Sequence, residues 1–513
     1  MISKVTTATI IGLEAYKVEV EVDFVNSLPN VAIVGLPDAA VSEAKERIRS
    51  AIKNSDFSFP GQKVVINLAP AEIKKEGAIF DLAMAIGILT KGEVIEQESI
   101  DSYGFLGELS LDGRIRAING VFPLVLGLKN AGIKSVIVPM DNVEEASLAN
   151  GIEVYGAEYL ADVVNHFAGD IKLKKTTLDI KNFLDTHSQD DILYDFRDVK
   201  GQTKAKKALE IAAAGGHNII MTGSPGSGKT LMAKCFASIL PPLELSEALE
   251  LTKIYSIAGL LPKIGFITKR PFRTIHHSAS AVGIIGGGSN PKPGEITLAH
   301  HGVLFLDEMT EFSRFVLEHL RQPLEDGEIT ISRVNTTVKF PADFMLIGAM
   351  NPCPCGYLGD SQKQCTCSEY QIQKYQSKLS GPLLDRIDLQ IEVTRLTPDE
   401  LINTKQDAES SAQIRERVVQ ARKIQIERYK NCGILTNSQL NSRLIKRFCQ
   451  LDEKSEQFLK SAILKFNLSG RAYDRILKLA RTIADLNNSK NISQAHIAQA
   501  LQYKSYVIDR ATV

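Results

Sequence analysis

The chain has 513 residues, 44% hydrophobic and 23% charged, with 60 Lys/Arg balancing 60 Asp/Glu. Those are the proportions of ordinary globular protein, and the length suits about three domains. No apolar run of about 18 residues occurs, which excludes a membrane-spanning helix, and seven cysteines, four of them clustered, suit reduced or metal-held thiols better than a disulfide framework.

The N-terminus, Met1-Ile2-Ser3-Lys4-Val5, lacks the apolar core of a signal peptide, so a cytoplasmic location is expected. Charge is unevenly spread. Residues 401–513 hold 20 Lys/Arg against 10 Asp/Glu, a net of +10 that the rest of the chain offsets. Such a region suits an acidic partner such as nucleic acid, or is a solvated helical surface.

Residues 1 to about 165 alternate strand and helix patterns. Residues 16–24 (YKVEVEVDF) alternate with period two, as a half-buried strand does. Residues 39–53 have the spacing of an amphipathic helix, 63–68 (KVVINL) of a strand and 80–90 of an apolar helix; 135–139 and 153–155 read as further strands. The motifs Lys75-Glu76-Gly77 running to Asp81, Gly120-Val121-Phe122 and Ala131-Gly132-Ile133-Lys134 resemble the N-terminal domain of the Mg-chelatase-like ComM (YifB) family. That domain is similar to the Lon peptidase domain, of ribosomal S5 domain 2-like fold. In Lon-like peptidases these motifs carry a nucleophilic Ser and its Lys base, and the matching positions here hold Ile79 and Phe122. A serine peptidase needs an activatable hydroxyl and a base, so no peptidase activity is expected of residues 1–168. Residues 169–195 are polar and weakly patterned, as in a linker.

An ATPase core is expected over 196–395. Gly223-Ser224-Pro225-Gly226-Ser227-Gly228-Lys229-Thr230 fits the phosphate-loop pattern, with a short apolar strand before it and a helix after it that Pro241-Pro242 ends. That arrangement aims backbone N–H groups and a helix N-terminus at phosphates. Lys229 is then expected on the β- and γ-phosphates and Thr230 on Mg²⁺. Residues 303–306 (VLFL) followed by Asp307 and Glu308 read as a buried strand ending in acids. Asp307 would hold Mg²⁺ through water, and Glu308 would orient and activate the attacking water. Upstream, Asp198 opens the segment, and residues 199–202 read either as a plain turn before a helix or, by resemblance, as the segment bordering the adenine.

Residues 243 to about 301 hold a Gly/Pro-rich run with Lys263, Lys269, Arg270, Arg273 and His276-His277 nearby, and resemble the helix-2 insert of one AAA+ clade. Residues 328–340 read as a hairpin about Val334-Asn335. The resemblance makes it the pre-sensor-1 hairpin, with Arg333 and Lys339 facing DNA in a ring channel. Residues 344–350 form another apolar strand, and Asn351 after it resembles sensor 1. Cys353, Cys355, Cys365 and Cys367 make two C-x-C pairs, which can close a tetrahedral Zn²⁺ site or stand as free thiols. Leu379 to Asp388 contains Arg386, which resembles the finger that reaches the γ-phosphate of a neighbouring subunit. Residues 396–513 read as a helical lid whose Arg471 resembles sensor 2, with Ala472, Ile476, Leu479, Ala480, Ile483 and Leu486 forming an apolar stripe. Arg475 and Arg481 are expected to be solvated or paired.

The resemblance covers nearly the whole chain. It implies an α/β protein: a Lon-like N-terminal domain, an AAA+ P-loop core with helix-2 insert, and a helical lid. It also implies ATP with Mg²⁺, a homo-oligomer of hexameric type, and single-stranded and branched DNA as partners in branch migration during natural transformation. The alternative is a protein-remodelling ATPase akin to the chelatase motor.

Overall fold

The computed structural model describes residues 2–169, 171–180, 193–288, 291–332, 337–397, 408–466 and 468–503. Two compact units result. One comprises Met1–Ser188 with Glu244–Thr268, the other Gln189–Leu243 with Lys269–Val513.

The first unit is built on an eight-stranded mixed sheet. Its order is Lys175–Thr176, Glu153–Ala157, Ser135–Pro139, Tyr103–Phe105, Ser3–Ile11, Glu14–Val25, Lys63–Ala69, Val31–Val34. In Glu14–Val25 the alternation buries Val18, Val20 and Val22 on one face and leaves Glu19 and Glu21 on the other. The helix Asp81–Lys91 packs on Ser3–Ile11 and Glu14–Val25 and is buried from Asp81 to Thr90. Each Leu or Ile taken from water there contributes roughly 1.5–3 kcal/mol. The helix Ala39–Asn54 starts where the Asp38 carboxylate accepts the Val41 N–H at 2.8 Å, and it buries Val41, Ala44, Ile48, Ala51 and Ile52 at helical spacing.

Two features differ from the linear reading. Residues 244–268, read as part of the insert in the ATPase segment, belong to the first unit. The helix Leu245–Ala258 packs on the helix Val121–Asn130. The reason is long-range: the buried Ser256 hydroxyl donates to Glu145 Oε1 at 2.5 Å, and Lys253 pairs with Glu14 at 2.9 Å. Within the expected linker, Lys175–Thr176 adds an edge strand antiparallel to Val154 and Tyr155, helped by the Lys175–Glu153 pair at 2.7 Å. Residues 170 and 181–192 of that linker lie outside the described residues.

The second unit holds a five-stranded parallel sheet in the order Phe272–Ile275, Val303–Leu306, Met345–Met350, Ile219–Thr222, Leu389–Glu392. Val303–Leu306 and Met345–Met350 are buried at every position, as inner strands of a parallel sheet are. The hairpin forms from Glu328–Ser332 and Thr337–Pro341. Helices Ser411–Tyr429, Ser442–Phe448, Glu453–Lys465, Gly470–Leu486 and Gln494–Leu501 make the C-terminal helical region. Its expected stripe is buried, with Leu486 packed partly against it, and one apolar core runs from the sheet into these helices. The α/β architecture is the expected one. Among the described residues, no helix is long and apolar enough to cross a membrane.

Ser256→Ala removes one donor from a buried carboxylate, an effect worth about 1–3 kcal/mol. Thermal melting should show a less stable first unit, and limited proteolysis should cut residues 244–268 faster; unchanged melting and cleavage would contradict the packing described.

Candidate functional site

The parallel sheet gathers the chemistry at the carboxyl ends of its strands, where α/β proteins place their sites. Residues Gly223 to Gly228 leave the strand Ile219–Thr222 and turn into the helix Lys229–Phe236. Gly228 caps that helix with φ +90°, a conformation that costs a residue with a Cβ. The Lys229 side chain folds back into the loop, where its ammonium donates to Gly223 O at 2.7 Å and Ser224 O at 3.0 Å. It is 9% exposed. Burial pushes its pKa down to about 8, against the upward pull of Asp307 and Glu308.

Thr230, next on the helix, donates its hydroxyl to Asp307 Oδ2 at 2.8 Å. Asp307 follows the strand Val303–Leu306, two strands from the loop. Asn351 follows Met345–Met350, the strand between them, and is half-buried. Glu308 takes φ +49°, the left-handed region, at a cost of order 1–3 kcal/mol. Its carboxylate stays largely exposed, with His277 Nδ1 3.7 Å away. The residues present therefore fit a nucleoside triphosphate with Mg²⁺: a positive loop, a buried ammonium, and a hydroxyl beside a carboxylate as oxygen ligands.

A cavity of about 490 Å³ opens beside the loop, lined by Gly226, Ser227, Gly228, Leu231 and, from residues 198–202, Asp198, Val199, Lys200 and Gln202. Sequence reasoning had left two readings open for residues 199–202, and the structure brings Val199, Lys200 and Gln202 to the phosphate loop. Gln362, Arg395 and Leu396 complete the lining. Sequence reasoning missed them; the only signal was that Arg395 comes just past Leu389–Glu392, the strand beside the loop strand.

Arg386 and Arg471 are elsewhere. Both line a cavity of about 670 Å³ that shares no residue with the first. The Arg386 guanidinium pairs with Glu325 and donates to Pro382 O at 2.7 Å. It pairs with neither Asp385 nor Asp388, which bond Arg475 at 3.1 Å and His217 at 3.2 Å. Arg481 is buried and paired with Asp485. The remaining expected residues fall into two places. Lys339 is exposed and pairs across the hairpin with Glu328 at 2.6 Å, while Arg333 lies outside the described residues. Cys353, Cys355, Cys365 and Cys367 converge, their sulfurs within 4.8 Å of one another.

Known proteins resemble this chain in sequence. Residues 195–401 match the model for magnesium chelatase, subunit ChlI; residues 20–142 match subunit ChlI of Mg-chelatase, and 408–504 the C-terminal part of subunit ChlI. Competence protein ComM of Haemophilus influenzae is 44% identical over 97% of this chain and 96% of its own length. YifB of Escherichia coli is 40% identical over 100% of this chain and 98% of its own. Lon protease 2 of Bacillus subtilis is 32% identical over 31% of this chain and 33% of its own. The chain belongs to the ComM/YifB family of magnesium-chelatase-like AAA+ ATPases, whose nucleotide is ATP with Mg²⁺.

Proposed function

We propose that the protein is a ring-forming motor, hexameric, that couples ATP hydrolysis to movement on DNA and drives branch migration of recombination intermediates during natural transformation. The observation that carries this reading is the 44% identity, over nearly the whole chain, to a protein named for competence. The basic region 401–513 and the hairpin with Arg333 and Lys339 supply contacts for a polyanion.

In this reading the loop N–H groups and Lys229 hold the β- and γ-phosphates, and Thr230 and Asp307 hold Mg²⁺. Bound Mg²⁺ supplies charge neutralisation at the phosphate oxygens. Glu308 orients the attacking water and takes its proton. Asn351 fixes that water or the γ-phosphate. Asp198, Val199 and Gln202 border the base. Arg386 and Arg471, gathered in a cavity of their own, serve the site of a neighbouring subunit, where a cation stabilises charge spreading over the transferred phosphoryl group. Zn²⁺ in the four-cysteine loop is a structural ion. The chelatase family models favour a second reading, a motor that remodels a protein partner.

ATPase rates without DNA, with single-stranded DNA and with a three- or four-way junction decide between the two, with Glu308→Gln as the blank. The expected result is stimulation of several-fold, largest on the junction and falling steeply with salt. A Glu308-dependent rate indifferent to every DNA would sink the DNA reading and leave protein remodelling. Arg386→Ala alone should lose about 10³-fold or more in rate. Mixed with Glu308→Gln subunits it should regain activity, because each lends what the other lacks; a mixture as inactive as its parts would place Arg386 in its own site. ATP affinity should also report the Lys229 proton. Polyphosphate favours the ammonium, whose pKa in the free protein is depressed to about 8. Binding above that pH must therefore take up a proton, so affinity is flat below about 7.5 and then falls by up to about tenfold per pH unit. Calorimetry with a non-hydrolysable analogue checks this, and constant affinity up to about pH 9.5 would contradict it.

A further inference from the structure

The segment joining the strand Met345–Met350 to the helix Glu369–Gln376 carries Cys353, Cys355, Cys365 and Cys367. Sγ separations are 3.4 Å for Cys353–Cys355, 3.5 Å for Cys355–Cys365 and 3.6 Å for Cys353–Cys365. A disulfide would need about 2.05 Å. Four sulfurs about 2.3 Å from a tetrahedral ion stand about 3.8 Å apart, which is the scale of this cluster. Two backbone donors serve it as well: Cys355 N–H points at Cys367 Sγ and Cys367 N–H at Cys365 Sγ, each at 3.4 Å. Donors of that kind orient and stabilise thiolate ligands. A set of four sulfurs selects a soft tetrahedral ion and disfavours Mg²⁺ or Ca²⁺, which require oxygen.

Residues 356–364, between the two cysteine pairs, lie against the phosphate loop. Gly356 has φ +84°, and a Cβ there would stand 2.7 Å from Pro225 Cδ. The Asp360 carboxylate accepts the Gln362 and Lys363 N–H groups at 2.8 and 2.9 Å, and the nearby Ser224 hydroxyl is the largest influence holding it below the ordinary carboxylate range. Arg395 donates to Pro225 O at 3.1 Å and to Gln362 Oε1 at 3.2 Å. Beyond the cluster, Gln376 Nε2 donates to Pro352 O at 3.1 Å. Closing or opening the thiol cluster therefore acts on Gly356, Asp360 and Gln362 through very short stretches of chain.

We propose that the four cysteines bind one zinc ion, and that this ion holds residues 356–364 as a strap on Ser224 and Pro225, so that the affinity of the phosphate loop for nucleotide depends on the metal. Zn²⁺ replaces the thiol protons, which pass to solvent. The strap rests on the reading of this loop as the ATP site; the metal site does not.

The experiment uses full-length protein purified without chelator. Metal content is measured by plasma mass spectrometry, and affinity for a fluorescent ATP analogue is measured before and after a mercurial thiol reagent ejects the metal. About one zinc per chain is expected, with analogue binding weakened about tenfold on ejection and restored by thiol reductant plus Zn²⁺ but not by Mg²⁺. Cys365→Ser with Cys367→Ser should lose the zinc and the affinity, with circular dichroism reporting whether the fold survives. Gly356→Ala keeps all four thiols, and should keep the zinc while binding the analogue more weakly. Zinc near zero even after reconstitution would overturn the metal site. Zinc lost with affinity unchanged would overturn the strap. Zinc-replete protein unable to bind ATP would overturn both the nucleotide reading and the strap, while the stoichiometry still decides the metal.

Discussion

A buried ammonium must find acceptors, and the site is arranged around that requirement. Lys229 takes the carbonyls of Gly223 and Ser224, residues of the loop it closes. Without such partners, burying the charge would be prohibitive. Loop and lysine therefore specify each other's conformation. Strand order does the rest. Met345–Met350 lies between the loop strand and Val303–Leu306, so Asn351 emerges between the phosphate loop and Asp307. Thr230 can meet Asp307 at 2.8 Å only because these carboxyl ends are brought level.

Two arginines of the same unit stand apart from this loop. Arg386 and Arg471 line a cavity with no residue in common with the nucleotide cavity. Within one chain, Arg386 rests on the Glu325 carboxylate. The Glu325 side chain is largely exposed while that of Arg386 is mostly covered. Local neutralisation also explains why its closest acids in sequence do not hold it: Asp385 is committed to Arg475 and Asp388 to the buried His217.

Much of this was legible in the sequence because its signals are local. The alternation in residues 16–24 became Glu14–Val25, and the apolar run 135–139 became Ser135–Pro139. The phosphate loop and the acids after 303–306 are short motifs whose physics is carried by neighbours in the chain. What was missed depends on distant partners. Nothing near Arg395 says that it will contact Pro225, 170 residues away, and nothing near Ser256 announces Glu145. Ser3–Ile11 was not recognised as a strand, although its threonines and alternating burial suit one, because its periodicity is interrupted at Thr7-Ala8-Thr9, all buried.

Glu145 gathers two stretches of the first unit that are far apart in the sequence. The Phe122 side chain offers neither proton nor lone pair. Its backbone N–H instead donates to Glu145 Oε1 at 2.8 Å, the same oxygen that receives the Ser256 hydroxyl. Burial holds the Glu145 carboxyl above its ordinary range, opposed by these donors. One buried carboxylate thus binds the start of the helix Val121–Asn130 and the segment 244–268 together. Removing the carboxyl group would leave both donors without this acceptor at once, so the two are energetically coupled. The chain passes between its two units three times, and two of those passages flank residues 244–268. Within the first unit, residues 244–268 are therefore held by a hydrogen bond whose acceptor already serves Phe122.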